Sequence, residues 1–282
     1  MWLKQPITTT SPARARAPAR RPPTRTAQQQ QLARISSGAR RRTGAALAAV
    51  AANEAPLPTT SPLALKEWAV TIDALLAGEQ VLLLRKGGLL DGKFRLEARE
   101  FLLFPTTFHV KDQGLLTSDA ETKFSDALAL PEPKTLEGVV PLKCRVRVQG
   151  AWSVVDGRVV AALSDDPGLH VWGPAFTEAR LKWKPGAPMT LALVRAYALD
   201  ALDAPAGAPS SPSPPPPPLR VRQRADYYGC FSWARVEPLE EKEEGDWRPV
   251  LSDEEFERRG ALVRERLRGA GIEATPLELP TT

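Results

Sequence analysis

From Ser61 onward, Leu65, Trp68, Ala69, Ile72, Leu75 and Leu76 recur at helical spacing, with Ser61 and Pro62 in the N-cap and first helical positions and Gly78 closing the run. This pattern predicts an amphipathic helix. Val81 to Leu84 is a short apolar run ending at Arg85-Lys86-Gly87-Gly88, and reads as a buried strand entering a glycine turn. Asp91-Gly92 is a further turn signal. After it Phe94, Leu96 and Ala98 alternate with Arg95, Glu97 and Arg99, and Phe101 to Phe104 forms another apolar strand stopped by Pro105. Ser118, Asp119 and Glu121 open a helix that runs through Leu128. Strands are expected over 139–148 and across 152–163, with Asp156-Gly157 as a two-residue hairpin turn between them, and again over 191–199 and 229–236. Ser252 and Glu255 make a capping box for a last helix, whose apolar stripe is Phe256, Leu262, Val263 and Leu267 before Gly269. The expected class is α+β: one domain over 61–270, with a mostly antiparallel sheet or small barrel, flanking helices, and a tail over 271–282.

Two stretches break the pattern. Ala204 to Leu219 contains the uninterrupted run Pro214 to Pro218, which can enter neither a sheet interior nor a helix, so it is expected to be an inserted loop between strands. Residues 1–53 hold nine arginines and one lysine, and the first acid of the chain is Glu54. Arg-rich, Ser/Thr-rich and acid-free, this segment has the composition of an organelle transit peptide, disordered before import and recognised by import machinery. Ala45 to Ala52, after Arg40-Arg41-Arg42, is the candidate processing region. Without these ten cations the formal net charge turns from +5 to −5, so the basic pI of 9.4 is not a nucleic-acid footprint of the folded domain.

Cys144 and Cys230 stand far apart, without the spacing of a disulfide framework, a metal site or a redox motif. No apolar run is long enough to span a membrane, so no insertion is expected. His109 and His170 have no spaced ligand partners, and neither a metal nor a cofactor is expected.

Several runs resemble one family. Leu65-Lys66-Glu67-Trp68-Ala69-Val70, Gly78-Glu79-Gln80, Leu82-Leu83-Leu84-Arg85-Lys86-Gly87-Gly88 and Glu100-Phe101-Leu102-Leu103-Phe104-Pro105-Thr106 are followed by His170-Val171-Trp172, Arg180-Leu181-Lys182-Trp183-Lys184-Pro185, Arg195-Ala196-Tyr197 and Tyr228-Gly229-Cys230-Phe231-Ser232-Trp233. In this order they resemble the cyanobacterial and plastid family labelled domain of unknown function 1802, over about 64–268. The resemblance implies a protein of the plastid stroma with bacterial ancestry and carries no activity with it. Gly78 to Arg85 also has the spacing of the GxKxxExR run of ASCH-type RNA-binding domains, with only Gly78 and Arg85 matched.

The residues offer two chemistries. In one, Arg85 and Lys86 meet a phosphate or carboxylate beside Gly87 and Gly88, joined by Arg180 and Lys182, and the chain is a binding or accessory module for an anionic ligand or RNA. Trp172, Trp183 and Trp233 with Arg180, Lys182 and Lys184 would then stack bases above a basic strip. In the other, Asp91, Glu97 and Glu100 hold a metal while Lys93 positions water, as in a phosphodiesterase or nuclease. Competing readings are a turn at Asp91-Gly92, cross-strand pairing of the charges, and tryptophans that fill the core.

Overall fold

The structure, a computed structural model, describes residues 57–87, 93–107, 114–130, 138–182, 186–199, 219–227, 229, 231–239 and 247–281. The segment 1–53 and nearly all of the proline stretch lie outside these residues; only its last member, Leu219, is described, opening a strand.

The chain begins with β1 (Leu63–Trp68), α1 (Ala69–Leu76), β2 (Leu82–Arg85) and β3 (Glu100–Thr106). Next come α2 (Ser118–Lys123), α3 (Ser125–Ala129), β4 (Val139–Leu142), β5 (Cys144–Val154), α4 (Val159–Leu163) and α5 (Ala175–Lys182). The last part holds β6 (Met189–Leu199), β7 (Leu219–Arg222), β8 (Trp233–Arg235), β9 (Trp247–Pro249), α6 (Asp253–Gly269) and β10 (Ala274–Pro276). It is a single α+β domain with a mixed sheet in the order β2-β6-β5-β3-β1-β8, to which β9 adds on β6 and β10 on β5. The sheet does not close into a barrel. β1 and β3 run parallel, the other pairs are antiparallel, and β4 with β7 makes a separate ribbon.

The alternation of β strands sorts their side chains. Phe101, Val146 and Ala196 are in register and all buried, together with Leu65, Leu83, Leu103, Val148 and Val194, under Ile72 and Leu75 of α1. On the opposite face, Leu82, Leu84, Leu191 and Leu193 pack under α4, α5 and α6, whereas Leu102 and Phe104 pack against Val140, Leu142 and Val221 of the ribbon. Burial on both faces is what a central sheet needs to offset its ordering entropy.

Two expected elements are different in the structure. Leu63–Trp68 is a strand between β3 and β8, and only Ala69–Leu76 is helical. Residues 64–68 are all buried, so the apolar positions reflect burial on both faces of a strand and not one helical stripe. Asp156-Gly157 closes no hairpin. Asp156 accepts the N–H of Arg158 through Oδ1 at 2.8 Å and the N–H of Val159 through its backbone carbonyl at 3.3 Å, and 159–163 is helix; β5 pairs instead with β6. Smaller differences follow local packing. Phe94, Leu96 and Ala98 are extended without a ladder, Pro105 lies within β3, and the helix from Ser118 breaks into α2 and α3. Residues 274–276, in the expected tail, pair with β5.

Candidate functional site

Where β1 passes into α1, the strand buries two charged residues in succession, Lys66 and Glu67. Lys66 donates to the carbonyl of Gly229 at 3.0 Å and lies 3.8 Å from the Phe231 ring centroid. Glu67 points elsewhere. Its carboxylate, 5% exposed, accepts the N–H of Trp68 at 2.8 Å on Oε1 and Arg85 Nη1 at 3.0 Å on Oε2. Arg85, at the end of β2, also donates through Nη2 to the hydroxyl of buried Ser232 at 3.3 Å. Its Nε is buried without a partner.

A second guanidinium, on α5, packs against aromatic rings nearby. Arg180 Cζ lies 4.8 Å from the Trp68 ring and 4.9 Å from the Phe176 ring, which themselves meet edge to face at 5.5 Å. Burial holds Arg180 below the usual guanidinium range, at about 10; the Arg85 charge pushes the same way and Glu67 opposes both. Arg85 thus holds the carboxylate directly, and Arg180 feels both charges without an ion pair to Glu67. Lys86, 3% exposed, has its ammonium lowered by burial and donates to the carbonyl of Leu181 at 3.4 Å, at the negative end of α5.

Gly87 fastens the next segment to this cluster. Its φ is +92°, and a Cβ there would sit 2.8 Å from the backbone nitrogen of Phe94. Residues 93–95 consequently lie close against the end of β2. Phe94 is buried while Lys93, Arg95 and Glu97 face outward, bounding with Trp233 a pocket of about 300 Å³. The tryptophan is fixed: Nε1 donates to the carbonyl of Arg95 at 2.9 Å, the ring stacks on Phe94 at 5.9 Å and meets the edge of Phe101 at 4.8 Å. Phe94 belongs to pocket and cluster alike, since Arg85 Cζ lies 5.7 Å from its ring. The pocket's own lining sets Lys93 and Arg95 against the single carboxylate of Glu97, and the Arg85–Glu67 pair lies behind the Phe94 ring. Such an excess of one sign beside low-dielectric aromatic walls draws anions.

The expected site residues divide. Arg85, Lys86, Gly87 and Arg180 come together, and Lys93 and Glu97 line the adjoining pocket. Lys182 does not join them; it pairs with Glu178 at 2.8 Å on the exposed side of α5. Glu100 also stands apart from Glu97, its carboxylate held by Arg145 at 3.2 Å and by Arg147. Gly88, Asp91, His109, Trp183, Lys184 and Cys230 lie outside the described residues.

Trp172 is a core residue stacked on Phe176 at 4.8 Å. His170 is structural: Nδ1 accepts the Trp172 N–H at 3.1 Å, so Nε2 carries the proton toward the Val160 carbonyl at 3.2 Å, and burial pushes the imidazole down to about 4. Burial pushes the Cys144 thiol up to about 12, which withholds the thiolate a nucleophile needs. Among the described residues, no group of three or more His, Cys, Asp or Glu is placed to hold a metal.

Glu67 and Ser232, which orient Arg85, were not anticipated from sequence. An acid inside the apolar run Leu63–Trp68 was the available signal.

An α+β domain with a buried Arg85–Glu67 ion pair, beside a cationic pocket with aromatic walls, is thus the structural setting. The family described as Domain of unknown function (DUF1802) matches residues 64–261, and the chain belongs to it. No curated protein and no solved structure matches the chain. Among the described residues, no helix is long and apolar enough to cross a membrane.

Proposed function

We propose that the protein is a binding module for an anionic ligand, taken up in the pocket of Lys93, Phe94, Arg95, Glu97 and Trp233, with Arg85 standing behind Phe94. The observation that carries this reading is the pair of cations, Lys93 and Arg95, against one carboxylate, Glu97, in the lining of an aromatic-walled pocket of about 300 Å³, a volume at the lower end of small-ligand sites. Lys93 and Arg95 are exposed and able to meet phosphate or carboxylate oxygens directly. The rings of Phe94 and Trp233 offer a flat apolar wall to the rest of the ligand. A metal-dependent phosphodiesterase built on Asp91, Lys93, Glu97 and Glu100 draws less support, because Glu100 is engaged by Arg145 and Arg147 away from Glu97. The place of work in this proposal is the plastid stroma, with residues 1–53 engaging the import machinery; the support is the acid-free, Arg-rich composition of that segment.

The test is a thermal melt of the full chain titrated with pyrophosphate against chloride of equal ionic strength. Saturating pyrophosphate should raise the melting temperature, by the equivalent of about 2.7 kcal/mol at one hundred times Kd. Arg95→Gln and Lys93→Gln should each diminish that rise, and Lys182→Gln should leave it intact. An equal rise in all three variants would refute the assignment.

A further inference from the structure

The sheet face opposite Phe101, Val146 and Ala196 carries a second charged surface that shares no residue with the pocket. Here Leu102, Arg145, Tyr197 and Pro249 are in register across β3, β5, β6 and β9, and Glu100, Arg147 and Arg195 form the next row. Helices cover one part of this face, through Leu191 and Leu193, and the β4–β7 ribbon covers another, through Leu102 and Phe104. The strip between them presents Arg145, Arg147, Arg195, Tyr197 and Trp247, none of them fully buried and Arg147 with a side chain 45% exposed.

Arginines and rings interleave on this strip. Arg145 Cζ lies 6.0 Å from the Tyr197 ring and 5.8 Å from Trp247, while Arg195 Cζ lies 5.9 Å from Tyr197 and 5.6 Å from Phe256. Among the described residues the acids paired with these arginines are fewer: Glu100 is shared by Arg145 and Arg147, and Asp253 meets Arg195. Arg147 and Arg195 oppose each other directly across the ladder, each met by an acid on its outer side.

We propose that this strip binds single-stranded nucleic acid. Adjacent strands lie about 4.8 Å apart, so arginines from β5 and β6 reach neighbouring phosphates of one extended strand. Tyr197 and Trp247 give bases a surface to stack on once their arginines turn to the phosphates, a recognition mode tolerant of sequence and shared by many single-strand binders. An acidic peptide would satisfy the charges and make no use of the two rings.

Ultraviolet crosslinking of the full chain to an oligouridylate, with the linked residues mapped by mass spectrometry, tests this directly. Crosslinks are expected at Tyr197 and Trp247. Changing Arg145→Gln and Arg147→Gln together should cut crosslinking at Tyr197 about fivefold, and should flatten the logarithmic salt dependence of binding by about 0.7 for each arginine removed. Crosslinks confined to residues 1–53 or to other aromatic side chains would overturn the proposal. So would an unchanged salt dependence in a variant that keeps its melting temperature. Displacement of the oligonucleotide by polyglutamate at equal charge concentration would reassign the strip to an acidic partner. If the double variant does not fold, the crosslink map of the unaltered chain decides.

Discussion

Replacing Glu67 with glutamine keeps the shape of the side chain and removes the buried carboxylate that pairs with Arg85. Both oxygens are engaged, one by the Trp68 N–H at 2.8 Å and one by Arg85 Nη1 at 3.0 Å, so the amide must set an NH2 against one of these donors. Removing one partner of a buried ion pair costs about 3–5 kcal/mol. The Arg85 side chain keeps 14% of its surface exposed, and water there relieves part of the loss. We therefore expect Glu67→Gln to destabilise the domain by about 2–3 kcal/mol. For a domain of this size, at about 2–4 °C for each kcal/mol, the melting temperature should fall by about 4–12 °C. Urea unfolding and calorimetry of the full chain measure both quantities. In the Glu67→Gln, Arg85→Gln double variant the two costs should fall short of additivity by about 1 kcal/mol or more, because the residues form one unit. Pyrophosphate should restore more stability to Glu67→Gln than it adds to the unaltered protein, since the anion takes over the lost charge. A Glu67→Gln melt within one degree of the unaltered protein, or strict additivity in the double variant, would show that Arg85 does not depend on this carboxylate.

Other expectations concern the frame around the site. Gly87→Ala forces a Cβ to within 2.8 Å of the Phe94 nitrogen at φ +92°, and should cost about 1–3 kcal/mol in urea unfolding while weakening the response to pyrophosphate through displaced Phe94. The His170 imidazole is held at about 4 against an ordinary value of 6.5, so below about pH 6.5 the unfolded chain takes up a proton that the folded one refuses. Stability on this account is full above pH 6.5 and declines as the pH falls toward 4, by at most about 1.4 kcal/mol per pH unit, and His170→Gln should flatten that decline in pH-dependent melts. The Ser252 hydroxyl accepts the Glu255 N–H at 3.2 Å at the start of α6, and Ser252→Ala should lose about 1 kcal/mol, read as about 2–4 °C by calorimetry.

The sequence announces some of this architecture and conceals the rest for identifiable reasons. β2, β3 and β6 were legible because their apolar runs are continuous, and α6 because Ser252 and Glu255 mark its start and Phe256, Val263 and Leu267 fall on one side. Leu63–Trp68 misleads because a strand buried on both faces has no alternation, and its apolar residues happen to extend the helical spacing of Ala69–Leu76. Asp156-Gly157 suits a hairpin and a helix entry equally, and the β-branched Val159 and Val160 favour the wrong choice. At the site, Arg85 and Lys86 stand out as charges ending an apolar strand. Glu67 was lost once its segment was read as helix, where an acid beside Lys66 asks for no buried partner. The convergence of Arg180 on Arg85 depends on how α5 packs across β1 and β2, a tertiary relation no local pattern carries.

The central claim is that the pocket beside Phe94 and Trp233 receives an anion. A crystal of the full chain soaked in tungstate, a phosphate mimic located by its anomalous scattering, examines it most directly. The account predicts a tungstate in the pocket, within about 2.7–3.2 Å of Lys93 Nζ or the Arg95 guanidinium. An empty pocket, at a tungstate concentration that raises the melting temperature of the same protein, would contradict it.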